Sequence, residues 1–318
     1  MNYNLSALRS IAIILVVLGH SIILYDPNWG IYSPKDNCIF FEYLKSFINI
    51  IQMPLFFSLS GFLFYFSVKK YSFINILKKK VKRLLIPYFI ICFFWMDPIK
   101  VFLDVPKYNF SLDFIKEQIM GYNNGHLWFL YTLFAIFIIF KIIYALKIVH
   151  GYKEILIFII LFLCNVFGHK LSIFNNVCTY AIYFYVGYII NEYYAYFNKH
   201  IKAIRILVTL LIIIYSFFFV INYINYNLLS RFLAITFIII LYSLNLKSIA
   251  NNKIMNIIGR NSYGIYLFHS PMIYITFTFW KDINPFLIFV INFCLFGTIA
   301  LIISLVLKKS NFKFIIGE

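Results

Sequence analysis

The chain has 318 residues, of which 63% are apolar and only 12% are charged, and its mean hydropathy is +0.87. Soluble domains have roughly 45–50% apolar and about 25% charged residues, so this composition excludes a soluble globular protein. The 22% aromatic content excludes a disordered chain. A net charge of +17 is typical of nucleic-acid-binding proteins, but in so apolar a chain it predicts a membrane protein whose charge lies on one side.

Ten apolar stretches are long enough, or nearly long enough, to cross the hydrocarbon core as a helix, which takes about 20 residues. No internal repeat is visible, and no linker rich in Gly, Ser or Pro separates a second domain. The sequence therefore predicts an all-α, polytopic membrane helix bundle with about ten transmembrane helices, formed by residues 1–318 as one domain. The ten stretches cover about 5–25, 46–67, 84–103, 127–147, 154–168, 173–194, 206–224, 228–246, 262–280 and 285–307.

The distribution of charge predicts the orientation. An even number of spans places both termini on one side of the membrane. With the N-terminus inside, the inner loops and helix ends hold 19 of the 28 Lys and Arg residues and three acids, whereas the outer side holds eight bases and eight acids. The positive-inside rule then predicts that both termini are cytoplasmic. The five cysteines are scattered without metal-ligand spacing, so we expect no metal site.

The first span contains an arginine and a histidine, and ionisable groups inside a span usually mark function. Arg9 and His20 are eleven residues apart, which corresponds to about 16 Å along a helix and to nearly three full turns. Both side chains are therefore expected on one face. A purely structural alternative is that Arg9 reaches lipid headgroups while His20 caps the outer end.

A dense basic segment lies between the second and third spans. Five of the six residues from 78 to 83 are cationic: Lys78, Lys79, Lys80, Lys82 and Arg83. This density suits the phosphates of a soluble ligand, and it equally suits a topology signal that binds anionic lipid.

Four further polar residues within or near spans are candidate pocket residues: Ser60, Asp97, His126 and His269. Asp97 could orient His20 as a carboxylate orients a general base, or it could be a helix-end acid before Pro98. Pro271 is expected to kink its span and to free a backbone carbonyl. Trp128 is interpreted as part of an interfacial aromatic belt.

Five segments occur in an order that resembles the acyltransferase family 3, integral membrane O-acyltransferases that modify bacterial surface sugars. They are Arg9 with ten residues before His20, PLFFSLSGFL at 54–63, RLLIPY at 83–88, HLWFLYTL at 126–133 and NSYGIYLFH at 261–269. Two features depart from the family pattern. Ser6 stands where an acid often precedes the arginine, and lysines stand in a loop that is usually arginine-rich. The chain resembles the stand-alone members without a C-terminal hydrolase-like domain.

This resemblance implies a donor and an acceptor. The donor would be a cytoplasmic acyl-CoA, most simply acetyl-CoA, used as a substrate and not as a permanently bound cofactor. Its phosphates would meet Lys79, Lys80, Lys82 and Arg83, and its pantetheine arm would pass Arg9 towards His20. The histidine would act as general base or would carry the acyl group transiently. Ser60, Asp97, His126 and His269 would shape the acceptor pocket.

The acceptor implied by the resemblance is a lipid-linked sugar or polysaccharide at the outer face of the bacterial cytoplasmic (inner) membrane. Membrane lipid is the other expected partner, and nucleic acid is not expected. A flippase of lipid-linked oligosaccharide is the main alternative, although no inverted repeat with paired broken spans supports it. A surface-glycan polymerase is a third reading, but the longest predicted outer loops have only about 20 residues, at 26–45 and 104–126.

Overall fold

A computed structural model describes residues 2–146, 152–168, 174–220 and 226–318, and within these ranges no strand occurs. The first half contains α1 (Asn2–Ser21), α2 (Ile39–Lys70), α3 (Phe73–Lys80), α4 (Ile86–Ile91), α5 (Asp97–Phe102), α6 (Leu112–Ile119), α7 (Trp128–Ala145) and α8 (Tyr152–Phe167). The second half contains α9 (Asn175–Glu192), α10 (Tyr194–Lys199), α11 (Ile201–Val220), α12 (Tyr226–Ser243), α13 (Lys247–Asn251), α14 (Lys253–Arg260), α15 (Ser262–Phe279), α16 (Pro285–Val290) and α17 (Gly297–Lys309).

The expected all-α architecture with apolar helices is confirmed for the described residues. Each predicted apolar stretch coincides with helical structure over most of its length. Residues 244–246 follow the end of α12 and are not helical, and the ends at 147, 173 and 221–224 lie outside the described residues. Five helical segments in the described ranges are long and apolar enough to cross a membrane: Asn4–Ser21, Ile39–Lys70, Phe73–Phe102, Gly125–Ala145 and Pro285–Lys309. The total of about ten spans and the side of the termini stay predictions.

The chain folds into two compact units whose segments alternate along the sequence, so no single linker divides it. The first unit comprises Met1–Leu8, Ile50–Leu77 and Ala135–Asn252, and the second comprises Arg9–Asn49, Lys78–Phe134 and Lys253–Glu318. Of the residues singled out in the sequence, Ser60 belongs to the first unit. The others belong to the second: Arg9, His20, Lys79, Lys80, Lys82, Arg83, Asp97, His126 and His269.

Within the first unit, α2 and α9 approach to backbone contact. A Cβ atom at Gly61 would lie 1.8 Å from the carbonyl oxygen of Phe184, and one at Gly187 would lie 1.8 Å from the carbonyl oxygen of Ser58. Small residues allow such an approach, which is how membrane helices gain van der Waals contact where lipid supplies no hydrophobic drive. The PLFFSLSGFL segment therefore has a structural explanation in its own unit.

The second unit is built around α15, which is buried along most of its length from Ser262 to Phe277. It packs against α17, α5 and the turn that precedes α17. Residues 78–102 also contribute to this unit, and this stretch is interrupted by two π-helical turns, Val81–Leu85 and Cys92–Met96. Such turns insert an extra residue into the helix and are frequent at functional sites.

The close contact of α2 with α9 predicts that Gly187→Ala destabilises the protein. The added methyl group would overlap the Ser58 carbonyl, so the helices must separate, and we expect a loss of about 1–3 kcal/mol in the free energy of unfolding. Denaturant titration of the protein in detergent measures it.

The matched control is Gly297→Ala in α17, where a Cβ atom would meet only a methyl carbon of Val17, at 3.3 Å. Equal stability of the two variants would contradict the close-packing argument.

Candidate active site

The first helix carries both ionisable residues predicted for its span. Because α1 runs without interruption from Asn2 to Ser21, Arg9 and His20 are separated by about 16 Å of helix axis. His20 lies in the last turn, where its Nδ1 is 2.9 Å from the carbonyl oxygen of Val16. A carbonyl oxygen only accepts, so Nδ1 carries the proton and Nε2 of the neutral ring holds a lone pair.

Three imidazole rings meet in the second unit although they lie far apart in the sequence. The His20 ring centroid is 4.9 Å from that of His269 and 6.4 Å from that of His126, and the last two are 5.8 Å apart. All three pairs are edge-to-face. His126 is 8% exposed and His269 is 1% exposed. The structure thus brings together three residues that the sequence singled out separately.

A proline in α15 explains how His126 is held. Proline has no N–H, so Pro271 leaves the carbonyl of Leu267, four residues earlier, without its helical donor. Nε2 of His126 lies 3.2 Å from this carbonyl oxygen and donates to it. The expected release of a backbone carbonyl is therefore confirmed, and α15 continues through the proline as a helix.

Nδ1 of His269 and the hydroxyl of Tyr266 bond to backbone carbonyls of the same region. Nδ1 of His269 lies 2.9 Å from the carbonyl oxygens of both Ile265 and Tyr266. The hydroxyl of Tyr266 donates to the carbonyl of His126. Nε2 of His269 is buried and has no hydrogen-bond partner in the part of the chain that the structure describes. Each of the three rings therefore has one nitrogen fixed as a donor to a carbonyl.

A tight loop places His126 in the cluster. Gly121, Asn123 and Gly125 all have positive φ angles, and the short helix Gly125–Leu127 leads directly into α7. A Cβ atom at Gly125 would lie 3.0 Å from Sδ of Met96 and 3.3 Å from Nζ of Lys100. Both its φ of +53° and its close neighbours favour glycine there.

A cavity of about 360 Å³ opens beside the imidazoles, and we call it the histidine cavity. Trp128, which the sequence assigned to an aromatic belt, is part of its wall. The lining comprises His20, Ile23, Trp29, Ile31, Lys100, Val105, Pro106, Lys107, Tyr108, Phe114, Asn123, Gly125, His126, Trp128, Ser270, Ile273 and Tyr274. Its size is within the range of small-molecule sites.

Asp97 is buried, but the structure gives it a different partner from the one considered in the sequence. Its Oδ1 accepts a hydrogen bond of 3.0 Å from Nε2 of Gln118, whereas the carbonyl of Val16 holds the His20 ring. Asp97 therefore helps to anchor α6. Burial, followed by the interaction with Asp97, raises the pKa of Tyr108, so this hydroxyl of the cavity wall stays protonated.

Two lysines that the charge distribution assigns to the outer side are buried near the imidazoles, which the sequence did not predict. Lys45 is 4% exposed and lies within electrostatic range of His20, and Lys100 is 7% exposed and lines the histidine cavity. The signal for Lys100 was its position three residues after Asp97 in an otherwise apolar helical stretch, because that spacing places two ionisable groups on one helix face.

The basic segment keeps its charges accessible. Lys79, Lys82 and Arg83 are exposed and Lys80 is half-buried. The backbone is braced at this point, since the hydroxyl of Tyr263 donates to the carbonyl of Arg83 over 2.6 Å. A cationic surface on a fixed backbone can bind an anion without first ordering the loop.

Ser60 is the predicted pocket residue that the structure explains otherwise. Its hydroxyl donates to the carbonyl of Phe56 within α2, over 3.0 Å. Among the described residues, no group of three or more His, Cys, Asp or Glu side chains has an arrangement that could hold a metal ion.

Comparison with known proteins identifies the family. Residues 2–309 match the acyltransferase family 3 model, described as an acyltransferase domain. The chain belongs to the acyltransferase family 3. Its long apolar helices are consistent with a membrane-associated member of this family.

The chain is also similar to the nodulation protein NolL of Sinorhizobium fredii, with 32% identity over 146 residues. This similarity covers 44% of the chain and 36% of that relative. The chain thus matches little more than a third of the length of this curated relative. No solved structure shows a significant match.

The carbonyl freed by Pro271 predicts the effect of Pro271→Ala on His126. Alanine restores an N–H that competes for the Leu267 carbonyl, so the bond from His126, worth about 1 kcal/mol, weakens. We expect the ¹⁵N signals of selectively labelled His126 to change from one tautomer, protonated at Nε2, to a mixture.

The control is Pro54→Ala, which changes a proline inside α2. It is expected to leave the His126 signals as in the wild type. A His126 spectrum that is unaffected by Pro271→Ala would contradict the role of the freed carbonyl.

Proposed function

We propose that this protein is a membrane O-acyltransferase, most simply an O-acetyltransferase. It moves the acyl group of a cytoplasmic acyl-CoA to a sugar hydroxyl of a lipid-linked or cell-surface glycan. The observation that carries the proposal is His20, whose Nδ1–H is held by a backbone carbonyl while its ring lines the histidine cavity. A neutral imidazole with one fixed N–H presents its other nitrogen as a base.

The donor is proposed to bind from the side of the basic segment. The exposed charges of Lys79, Lys82 and Arg83, with the half-buried Lys80, suit the phosphates of coenzyme A. The pantetheine arm would then run along α1, past the half-buried Arg9, over the distance of about 16 Å that separates Arg9 from His20. This arrangement would place the thioester beside the histidine cavity.

The reaction needs a base that takes the proton of the sugar hydroxyl and an attack of the hydroxyl oxygen on the thioester. Nε2 of His20 takes the proton of the sugar hydroxyl as the hydroxyl oxygen attacks the thioester carbonyl. The C–O bond forms, the C–S bond breaks, and the thiolate of coenzyme A leaves and takes the proton back from the imidazolium. His126 and His269 act as positioning residues, since their rings pack edge-on against His20 within 6.4 Å.

The proposed topology follows the charge distribution. About ten spans with both termini in the cytoplasm place the basic segment on the side where acyl-CoA is made and place His20 towards the opposite face. The site of action would be the cytoplasmic membrane of a bacterium.

Substitution of the proposed base separates acyl transfer from transport. His20→Ala and His20→Gln are expected to lower acylation of the glycan at least 100-fold, because general-base catalysis contributes about 10²–10⁴-fold. Mass analysis of the surface glycan and transfer of radiolabelled acetate by the purified protein measure this loss. Glycan export is expected to stay normal.

His200→Ala is the matched control, since it removes a half-buried imidazole that packs at a tilt against Tyr196 and lies outside the cluster. Loss of export with normal acylation of each sugar unit would contradict the transferase and would favour a flippase.

Neutralising the basic segment is expected to weaken donor binding. The variant Lys79→Gln, Lys80→Gln and Arg83→Gln should raise the Kd for acetyl-CoA about tenfold or more, which corresponds to at least about 1.4 kcal/mol. Calorimetry in detergent measures it, and the loss should shrink in high salt.

The control variant removes three exposed lysines from other segments predicted on the same side: Lys199, Lys202 and Lys253. Equal affinity of the two variants would mean that the basic segment is a topology signal only.

A further inference from the structure

The charged side chains that line the histidine cavity are all positive. Lys100 and Lys107 line it, and no Asp or Glu is among its described lining residues. The two cations differ in their partners. The ammonium of Lys107 donates to the carbonyl of Gly30 and so ties two loops together, which leaves Lys100 as the cation available for a ligand.

Lys100 is buried, and among the described residues no carboxylate forms an ion pair with it. It is 7% exposed, and its ammonium has no hydrogen bond within the part of the chain that the structure describes. Its Nζ lies 5.0 Å from the ring centroid of Tyr108 and 5.4 Å from that of Tyr274, which gives it cation–π contacts. Asp97 lies one turn away on α5 and interacts with Lys100 electrostatically, but no hydrogen bond joins the two, and Oδ1 of Asp97 accepts from Gln118. A buried cation in this situation is strongly stabilised by a bound anion.

The cavity provides an aromatic surface next to this cation. Trp29 packs against Tyr274 and Phe277, with centroid distances of 6.1 Å and 5.4 Å. The hydroxyl of Tyr32 bonds Oγ1 of Thr278 at 2.8 Å and anchors the loop that carries Trp29. Flat aromatic faces suit the apolar C–H face of a sugar ring, while a few polar groups fix its orientation.

We propose that the histidine cavity contains a subsite for an anionic sugar, in which Lys100 binds a carboxylate or phosphate carried by the acceptor glycan. The aromatic wall holds the sugar ring, and the charge contact orients one hydroxyl towards His20. The identification of the occupant as the acceptor rests on the proposed function. The anion preference itself rests on the buried, unpaired cation and the absence of acids from the described lining.

The test compares matched ligands with the full-length protein in nanodiscs. One pair is a uronic-acid trisaccharide and the same trisaccharide with its carboxyl groups reduced to alcohols. The second pair is a hexose 1-phosphate and the free hexose, so the two pairs distinguish carboxylate from phosphate. Trp29 and Trp128 line the cavity, so intrinsic fluorescence reports binding.

We expect the anionic member of at least one pair to bind the wild type about tenfold or more tightly than its neutral partner. This preference should fall with salt, because it is electrostatic. Lys100→Met should abolish it while leaving the affinity for the neutral ligand unchanged, and Lys100→Arg should retain it. The surface control is Lys116→Met, since Lys116 is 69% exposed and pairs with Asp113, and this variant should keep the preference.

Equal affinities within both pairs in the wild type, no binding of the anionic ligands, or a preference that survives Lys100→Met would each overturn the subsite. Radiolabelled acetyl transfer to the same ligands separates this result from the proposed function. Transfer without anion preference leaves the function standing and removes the subsite. Anion preference without transfer to any acceptor leaves the subsite standing and counts against the acyltransferase mechanism.

Discussion

The site depends on one backbone group, the carbonyl of Leu267 that Pro271 deprives of its helical donor. In an apolar environment a carbonyl without a donor is costly, so the helix must find another one. His126 supplies it from the short helix just before α7, and Trp95 donates to the next carbonyl, that of Phe268, over 3.2 Å. A proline thus fixes the ring of His126 against α15 and, with it, the position of the imidazole cluster.

Backbone carbonyls also hold the rings of the other two histidines. His20 and His269 each place Nδ1 against carbonyls of the preceding helical turn, so every ring has a defined tautomer without a carboxylate partner. A backbone carbonyl can therefore orient an imidazole inside the membrane. No carboxylate is needed for this, so no second charge has to be buried. The ionised group that does enter the histidine cavity from α5 is a cation, Lys100, held between two aromatic rings. The cavity consequently places imidazole rings and a buried lysine side by side.

The two compact units use their small and polar residues differently. In the first unit, Ser58, Gly61 and Gly187 bring α2 and α9 to backbone contact. In the second unit, π-helical turns before α4 and before α5 accompany the basic segment and Lys100, and both features belong to the proposed donor and acceptor sites. Motif residues such as Gly61 therefore serve helix packing in the first unit, whereas the proposed donor and acceptor residues lie in the second.

Hydropathy and helical spacing are local properties, so the amino-acid sequence alone predicts the membrane class, most of each helix and the placement of Arg9 and His20 on one helix. Five motifs in order indicate the family, and Pro271 indicates a freed carbonyl. Tertiary packing was needed to show which group bonds to that carbonyl, that three distant histidines meet, and that Lys45 and Lys100 are buried instead of solvated. Packing between segments far apart in the chain determines these features. Residue type alone does not show whether a lysine is buried or exposed.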